Sequence, residues 1–248
     1  MNVRLTTLLG AWIVLGTACA GDDELSGECE AAAVAAPLFG ASTDPFELEA
    51  REQNAIVALT LSEEDAGQGL CTGVLIAPRR VLTARHCADL LPHGVSAFVG
   101  PSIDAYTFKS PVLDFESHEE LDVAIAELRD AIPSDLATPL EPISEREVLE
   151  VDMRVILAGY GLTEDDQLGV RLFVQEPIKE ISSDTVTVDG SGETGACVGD
   201  SGGPLLTRDD EGRHRIIGVL SAGSASCLNI DVYQRLEALS AWFEPSGC

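Results

Sequence analysis

After residue 50 the chain alternates short apolar runs with glycine, proline and charged residues. The runs read NAIVALTL, LCTGVLIA, RRVLTA, GVSAFVG, DVAIAEL, MRVILAGYG, RLFVQEPI, DTVTVDG, GPLLTR and RIIGVLSAG. Short runs rich in valine, isoleucine and leucine, each bounded by turn residues, predict strands, and their regular succession predicts β-barrels or sandwiches. Between Ala131 and Met153 the prolines Pro133, Pro139 and Pro142 sit among acids and divide the strands into two groups, so a linker is expected over about 133–152. The ending RLEALSAWF sets Leu236, Leu239, Trp242 and Phe243 at helical spacing, which predicts a packed terminal helix over about 236–243. No internal repeat is visible.

A chain of 248 residues with 45% hydrophobic residues can bury one large core or two small ones. Its N-terminus carries Arg4, the apolar run Leu8–Gly16 and then the small residues TACA, the layout of a secretory signal peptide over residues 1–20. The run is shorter than the roughly 18 apolar residues a membrane-spanning helix needs. Ala18 and Ala20 satisfy an Ala-x-Ala cleavage signal, while GTAC, ending at Cys19, resembles a bacterial lipobox without its leucine. The expectation is therefore a secreted protein, or a lipid-anchored one if Cys19 is lipidated. Either way six cysteines remain, an even number suited to pairing in an oxidising compartment. Residues 21–37 read as an acidic propeptide or N-terminal extension. With 42 acidic and 15 basic residues the net charge is −27, which repels nucleic-acid phosphates and anionic headgroups. Such a surface suits attraction of cationic substrates, or solubility in a saline environment.

The stretch ACVGDSGGPLL, Ala196–Leu206, presents Ser201 among small residues before an apolar run. A serine hydroxyl becomes a nucleophile only when a base takes its proton and a third group orients the base. His86, in VLTARHCADL, follows a predicted strand. Asp122, in EELDVAIAEL, opens another, where a carboxylate is costly to bury unless paired. His93 and His118 read as exposed and His214, in RDDEGRHR, as a solvated hairpin residue. No cluster has metal-ligand spacing, so no metal is expected. GDSGG also fits the Gly-x-Ser-x-Gly elbow of α/β-hydrolases, but that fold needs the order serine, acid, histidine. Only His214 follows Ser201, 13 residues later, too close for the intervening elements.

Three motifs in order, TARHC, LDVAIAEL and CVGDSGGPLL, resemble those of trypsin-like (chymotrypsin-fold) serine proteases, and the resemblance covers most of residues 38–243. It implies an all-β fold of two packed six-stranded antiparallel barrels with a C-terminal α-helix. The peptidase domain would span 38–248, with barrel one over about 38–132 and barrel two over about 153–235. It implies that His86 is the general base and then acid, that Asp122 orients it, and that Ser201 attacks the scissile carbonyl. The N–H groups of Gly199 and Ser201 would form the oxyanion hole, and no cofactor is required.

GYG at Gly159–Gly161 and SAG at Ser221–Gly223 resemble the family's Gly-Trp-Gly turn and its substrate-pairing Ser-Trp-Gly strand, with Tyr160 and Ala222 in place of tryptophan. Arg85 stands where the family has alanine. The resemblance pairs Cys71 with Cys87 and Cys197 with Cys227, and leaves Cys29 for Cys248. It also implies that a new N-terminal amine at Leu38 pairs with Asp200 on activation, although Pro37 replaces the usual basic residue before the cut. Gly195 occupies the place of the aspartate that selects basic residues in trypsins, and Gly223 keeps the pocket mouth open. Asp231, in CLNIDVYQRL, either enters the pocket from the opposite wall, as in relatives that accept basic residues, or is one more surface acid. Two function classes follow. One is a secreted, monomeric serine endopeptidase of bacterial appearance, with polypeptide substrates and proteinaceous inhibitors as partners. The other is a catalytically silent binding protein, which has no need of an intact triad, Gly199 or Asp200.

Overall fold

Six strands from the first half of the chain close into a ring in the computed structural model, which describes residues 41–61, 69–91, 93–143 and 148–243. They are β1 (Ile56–Thr60), β2 (Leu70–Ala77), β3 (Arg80–Thr83), β4 (Ser96–Val99), β5 (Phe108–Ser117) and β6 (Ala124–Leu128). The order β1-β2-β3-β6-β5-β4 is antiparallel throughout and closes where Val57 pairs with Val99. Closure leaves no sheet edge, and because β1 also packs outward against the second half of the chain it is buried along its whole length rather than at every second residue. Ile56, Leu59, Leu75, Leu82, Phe98, Ile125 and Leu128 are fully buried and belong to one apolar core. A short helix α1 (Ala50–Gln53) leads into β1, and α2 (Arg85–Leu90) follows β3.

The second half repeats the plan. A two-residue strand β7 (Glu141–Pro142) precedes β8 (Arg154–Gly159), β9 (Leu172–Ile181), β10 (Thr185–Asp189), β11 (Pro204–Arg208), β12 (His214–Gly223) and β13 (Ile230–Arg235). The ring β11-β8-β9-β10-β13-β12 is antiparallel and closes through the β11–β12 hairpin, while β7 lies parallel to the start of β12. Two closed six-stranded antiparallel barrels are the fold of this chain, with β7 as an added strand. Tyr160 and Arg171 hold the barrels together. The Tyr160 hydroxyl lies 2.7 Å from the carbonyl of Gly100 and 3.0 Å from that of Ile56. Arg171 donates to Gln53 O at 2.7 Å and to Asn54 Oδ1 at 3.1 Å. Tyrosine in place of tryptophan at Tyr160 thus supplies a hydroxyl that two barrel-one carbonyls use.

Three expectations change. The segment between the barrels packs: Ala137, Leu140 and Ile143 are buried, and β7 joins the second sheet. The terminal helix consists of a 3₁₀ turn, Glu237–Leu239, and one α-helical turn, α3 (Ser240–Phe243), with Leu236 and Leu239 buried. His214 is not a solvated hairpin residue. Its side chain is 2% exposed and its Nδ1 lies 3.1 Å from Glu52 Oε2 on α1, because the charges around it pair at the hairpin tip, where Asp209 takes Arg213 and Arg215. His118 is only half-buried, with its ring against Trp242. The signal peptide, the extension over 21–37, Leu38, Cys29 and Cys248 lie outside the described residues. Among the described residues no helix is long and apolar enough to cross a membrane, and no group of three or more potential metal ligands forms.

Candidate active site

Strand β3 ends at Thr83, and α2 then turns the chain so that His86 sits at its second residue. Asp122 lies two residues before β6, which pairs with β3 with Thr83 opposite Ala124. That register brings the two side chains together: His86 Nδ1 and Asp122 Oδ2 are 2.8 Å apart, and the backbone N–H of His86 donates to Asp122 Oδ1 at 2.9 Å. Barrel two adds a third bond, the Ser221 hydroxyl donating to Asp122 Oδ2 at 2.6 Å. Burial opposes ionisation of this carboxylate, but the His86 ring, the Ser221 hydroxyl and the His86 N–H outweigh it and lower its pKa to about 2. Asp122 is therefore a fixed anion near neutral pH, and it holds the histidine in the tautomer that carries the proton on Nδ1.

Arg85 has a structural part that its sequence position alone did not reveal. Its guanidinium donates to the carbonyls of His118 (3.2 Å) and Glu119 (3.0 Å), tying the start of α2 to the loop that carries Asp122. His118 Nδ1 braces the same loop by accepting the N–H groups of Glu120 and Leu121.

Ser201 lies in a tight turn before β11. Its carbonyl accepts the Thr72 N–H at 2.8 Å, and Gly202 follows with φ of +81°. A Cβ on Gly202 would fall 2.1 Å from Thr83 Oγ1 and 2.9 Å from the N of Ala84, two residues before His86, so only glycine lets this turn approach the histidine helix so closely. Gly199, with φ of +100°, is in the left-handed region, and a Cβ there would lie 3.0 Å from Gly161 Cα. Thr72 escaped sequence reasoning, yet its hydroxyl donates to Gly199 O at 2.9 Å and accepts the Tyr160 N–H at 3.1 Å. Among the described residues no hydrogen bond joins Ser201 to His86, a contact that commonly tightens only with substrate present. Disulfides Cys71–Cys87 and Cys197–Cys227 brace the two sides.

Asp200 is 1% exposed and accepts the N–H groups of Gly161 (2.7 Å) and Cys197 (2.9 Å). Its carboxylate fills the space beside Gly159 and Gly161 that side chains there would need. Burial raises its pKa to about 7 against the pull of those two donors.

Beside Ser201 opens a cavity of roughly 230 Å³, lined in part by Ala196, Cys197, Val198, Leu220 and Gly223. Gly195 adjoins it, where a Cβ would meet the Cys227 carbonyl at 2.7 Å. Asp231 is fully buried, which removes its reading as a surface acid. Its Oδ2 accepts the Ala196 N–H at 2.6 Å. The Ser221–Gly223 end of β12 runs along the cavity, with Gly223 opposite Asp231 across the ladder to β13.

A histidine held by a partly buried acid, beside a serine in a glycine turn and at the seam of two β-barrels, defines a serine hydrolase of the two-barrel type. The trypsin family model matches residues 46–243, and the chain belongs to that family. It is similar to a trypsin from Simulium vittatum (29% identical, 62% of this chain and 70% of the relative). It is also similar to rat (Rattus norvegicus) chymotrypsin-C (26%; 75% and 81%) and to the serine protease Hayan of Drosophila melanogaster (28%; 62% of this chain), of which it spans 30%. The chain is a serine-type endopeptidase by this membership. These relatives are animal proteins and lend no support to a bacterial origin.

Proposed function

We propose that the protein is a secreted serine endopeptidase in which His86, Asp122 and Ser201 form the catalytic triad. His86 Nε2 takes the Ser201 proton as Oγ attacks the scissile carbonyl, and the Asp122 carboxylate stabilises the imidazolium that results. The tetrahedral oxyanion is held by the N–H groups of Gly199 and Ser201. His86 then protonates the leaving amine, and water, activated by the same histidine, releases the acyl group from Ser201. The substrate backbone pairs with Ser221–Gly223, and its side chain enters the cavity beside Ser201. Asp231, behind Gly195 and Gly223, gives that cavity its preference for a cationic side chain. An amine freed at Leu38 would pair with Asp200, so the chain is made as a zymogen. The enzyme acts as a monomer on polypeptides.

The observation that carries this reading is the triple hold on Asp122, by the His86 ring, the His86 N–H and the Ser221 hydroxyl. It fixes base and orienter in the arrangement a nucleophilic serine needs. A silent binding protein has no use for that anion, nor for a glycine at Gly199. A fluorophosphonate probe tests the proposal. Labelling is expected for the wild type and absent from Ser201→Ala and His86→Ala. A wild type that stays unlabelled, even after trial proteolysis near Leu38, would favour the binding protein.

A further inference from the structure

The wall of the cavity beside Ser201 is held from behind by two buried acids. Asp231 accepts the N–H of Ala196, the residue after Gly195. Glu176, on β9, accepts the hydroxyl of Thr194, the residue before Gly195, at 2.7 Å. Gly195 is thus flanked by two carboxylate-held neighbours. Each acid spends one oxygen on this grip, and the other is left over: Asp231 Oδ1 and Glu176 Oε2 are buried with no hydrogen-bond partner. The residues are 0% and 1% exposed. Asp231 Oδ1 points at the cavity wall, since it lies 2.7 Å from the place a Cβ on Gly223 would occupy, and Gly223 lines the cavity.

Two neighbouring buried carboxylates, each with a free oxygen, are expensive in an otherwise apolar barrel. Among the described residues no lysine or arginine forms an ion pair with either. The groups facing them are Asp200, the buried phenol of Tyr233, and Asp189, which is itself taken by Lys179 at 2.5 Å. The pair therefore stays neutral until the pH rises, and once ionised it has no cationic partner among the described residues. Asp231 Oδ1 lies directly behind Gly223, which lines the cavity that adjoins Ser201, where a substrate side chain would lie.

We propose that Glu176 is a second specificity-determining residue, which supplies with Asp231 the negative charge that draws a lysine or arginine side chain of the substrate into this cavity. The proposal rests on the peptidase reading above. Apolar residues at both places would make a neutral floor at lower energetic cost, so the charge is what distinguishes this one. Burial, with the charges of Asp231 and Asp189 adding to it, raises the pKa of Glu176 to about 7 against the Thr194 hydroxyl. Burial likewise raises Asp231 to about 6, while the Ala196 N–H pulls it down and the Ser224 N–H adds a weaker attraction without completing a hydrogen bond. The floor gains charge as pH rises through this range, so acceptance of cationic side chains rises with it.

The test is kcat/KM for peptide anilides that differ only in Arg, Lys or Leu before the cleaved bond, normalised to fluorophosphonate-titrated sites. The Arg/Leu ratio cancels the ionisation of His86, which both substrates share. In the wild type the ratio should climb at least tenfold from pH 5.5 to 8.5. Glu176→Gln keeps an acceptor for Thr194, and should lower the ratio at pH 8.5 about tenfold while leaving kcat/KM for Leu within threefold. Asp231→Asn should lower the ratio at pH 8.5 as well. A ratio unmoved by Glu176→Gln, or flat with pH in the wild type, overturns the role of Glu176. The wild-type profile decides the matter if the variant does not fold. An inorganic cation on the floor would instead make the ratio fall on replacing choline chloride by sodium chloride, which also overturns it. Failure of the probe to titrate the wild type would sink the peptidase reading itself; titration with an unchanged ratio sinks only this inference.

Discussion

The two barrels share a plan and differ in what they bury. Barrel one closes over aliphatic side chains, and its buried polar residues are the neutral Thr60, Thr72, Thr83, Ser96 and Ser110. Every buried charged or imidazole side chain among the described residues, Arg171, Glu176, Asp200, Asp209, His214 and Asp231, belongs to the second half. A buried carboxylate is retained against its desolvation cost only where it holds something: Asp200, Asp231 and Glu176 hold the turn before Ser201 and the cavity wall, and Asp209 holds Arg213 and Arg215 at the hairpin tip. Barrel one contributes differently. It keeps His86 and Asp122 at its rim, where partial exposure leaves the pair open to substrate.

If barrel one acts through its rim, substitutions there should separate activity from stability. Asp122→Asn removes the anion that three donors share, and is expected to lower kcat about 10⁴-fold, the size known for trypsin-like enzymes and not one deduced from these distances. Far-UV circular dichroism should stay unchanged. Leu82→Ala, in the fully buried middle of β3, should instead reduce stability by about 2–5 kcal/mol in denaturant titration, with kcat per folded molecule preserved. Should both variants lose activity and stability together, the division between rim and interior would be wrong.

Much of this contrast was legible in the sequence, and its gaps have physical causes. Strands such as LCTGVLIA stand out because the barrel buries one face and packing against the other barrel buries the second, and β2 covers the same eight residues. Strand β5 escaped because only Ser110 of its ten residues is buried, with Asp114 and Glu116 exposed, and Pro111 interrupts its pattern. Strand β13 escaped because Asp231 breaks the apolar alternation of its inner face, and that break was itself the signal of a functional acid. Glu176 carries the same signal inside RLFVQEPI, where an acid in an apolar run is buried. His214 was misread because a charged neighbourhood suggests solvent, whereas Asp209, Arg213 and Arg215 neutralise one another beside it. The contacts of Thr72 join residues 88 and 127 positions apart, which no local pattern can reveal.

The acids of barrel two should also make stability depend on pH with an unusual sign. Glu176, Asp200 and Asp231 have folded pKa values of about 7, 7 and 6, above the 4.5 and 3.8 of free carboxyls. Between these ranges the folded state binds more protons than the unfolded one, so stability falls as pH rises from about 4 towards 7 and then levels off. Asp122 and Asp209, both near 2, stay ionised throughout and do not offset this. The thermal midpoint should therefore be roughly 5 °C or more higher at pH 5 than at pH 8 in scanning calorimetry. Glu176→Gln and Asp231→Asn should flatten the dependence. A flat wild-type profile would mean that barrel two does not carry its acids protonated.

The smallest expected effect tests how the rim of barrel one is kept in register. Arg85 is partly exposed, and its two bonds go to carbonyls of the loop before Asp122, not to Asp122 itself. Arg85→Ala should therefore leave the Asp122–His86 bond in being but widen the range of positions that the loop samples. A hydrogen bond from a charged donor is worth about 1.5–3 kcal/mol when buried and less at a wet rim. A fall in kcat of about three- to tenfold is expected, with KM and thermal midpoint nearly unchanged. Because His86 keeps its anion, the pH at which activity is half-maximal should not move. A shift in that pH would show that Arg85 acts on the charge of the pair, whereas a lower kcat at constant pH profile is the mark of a residue that only positions it.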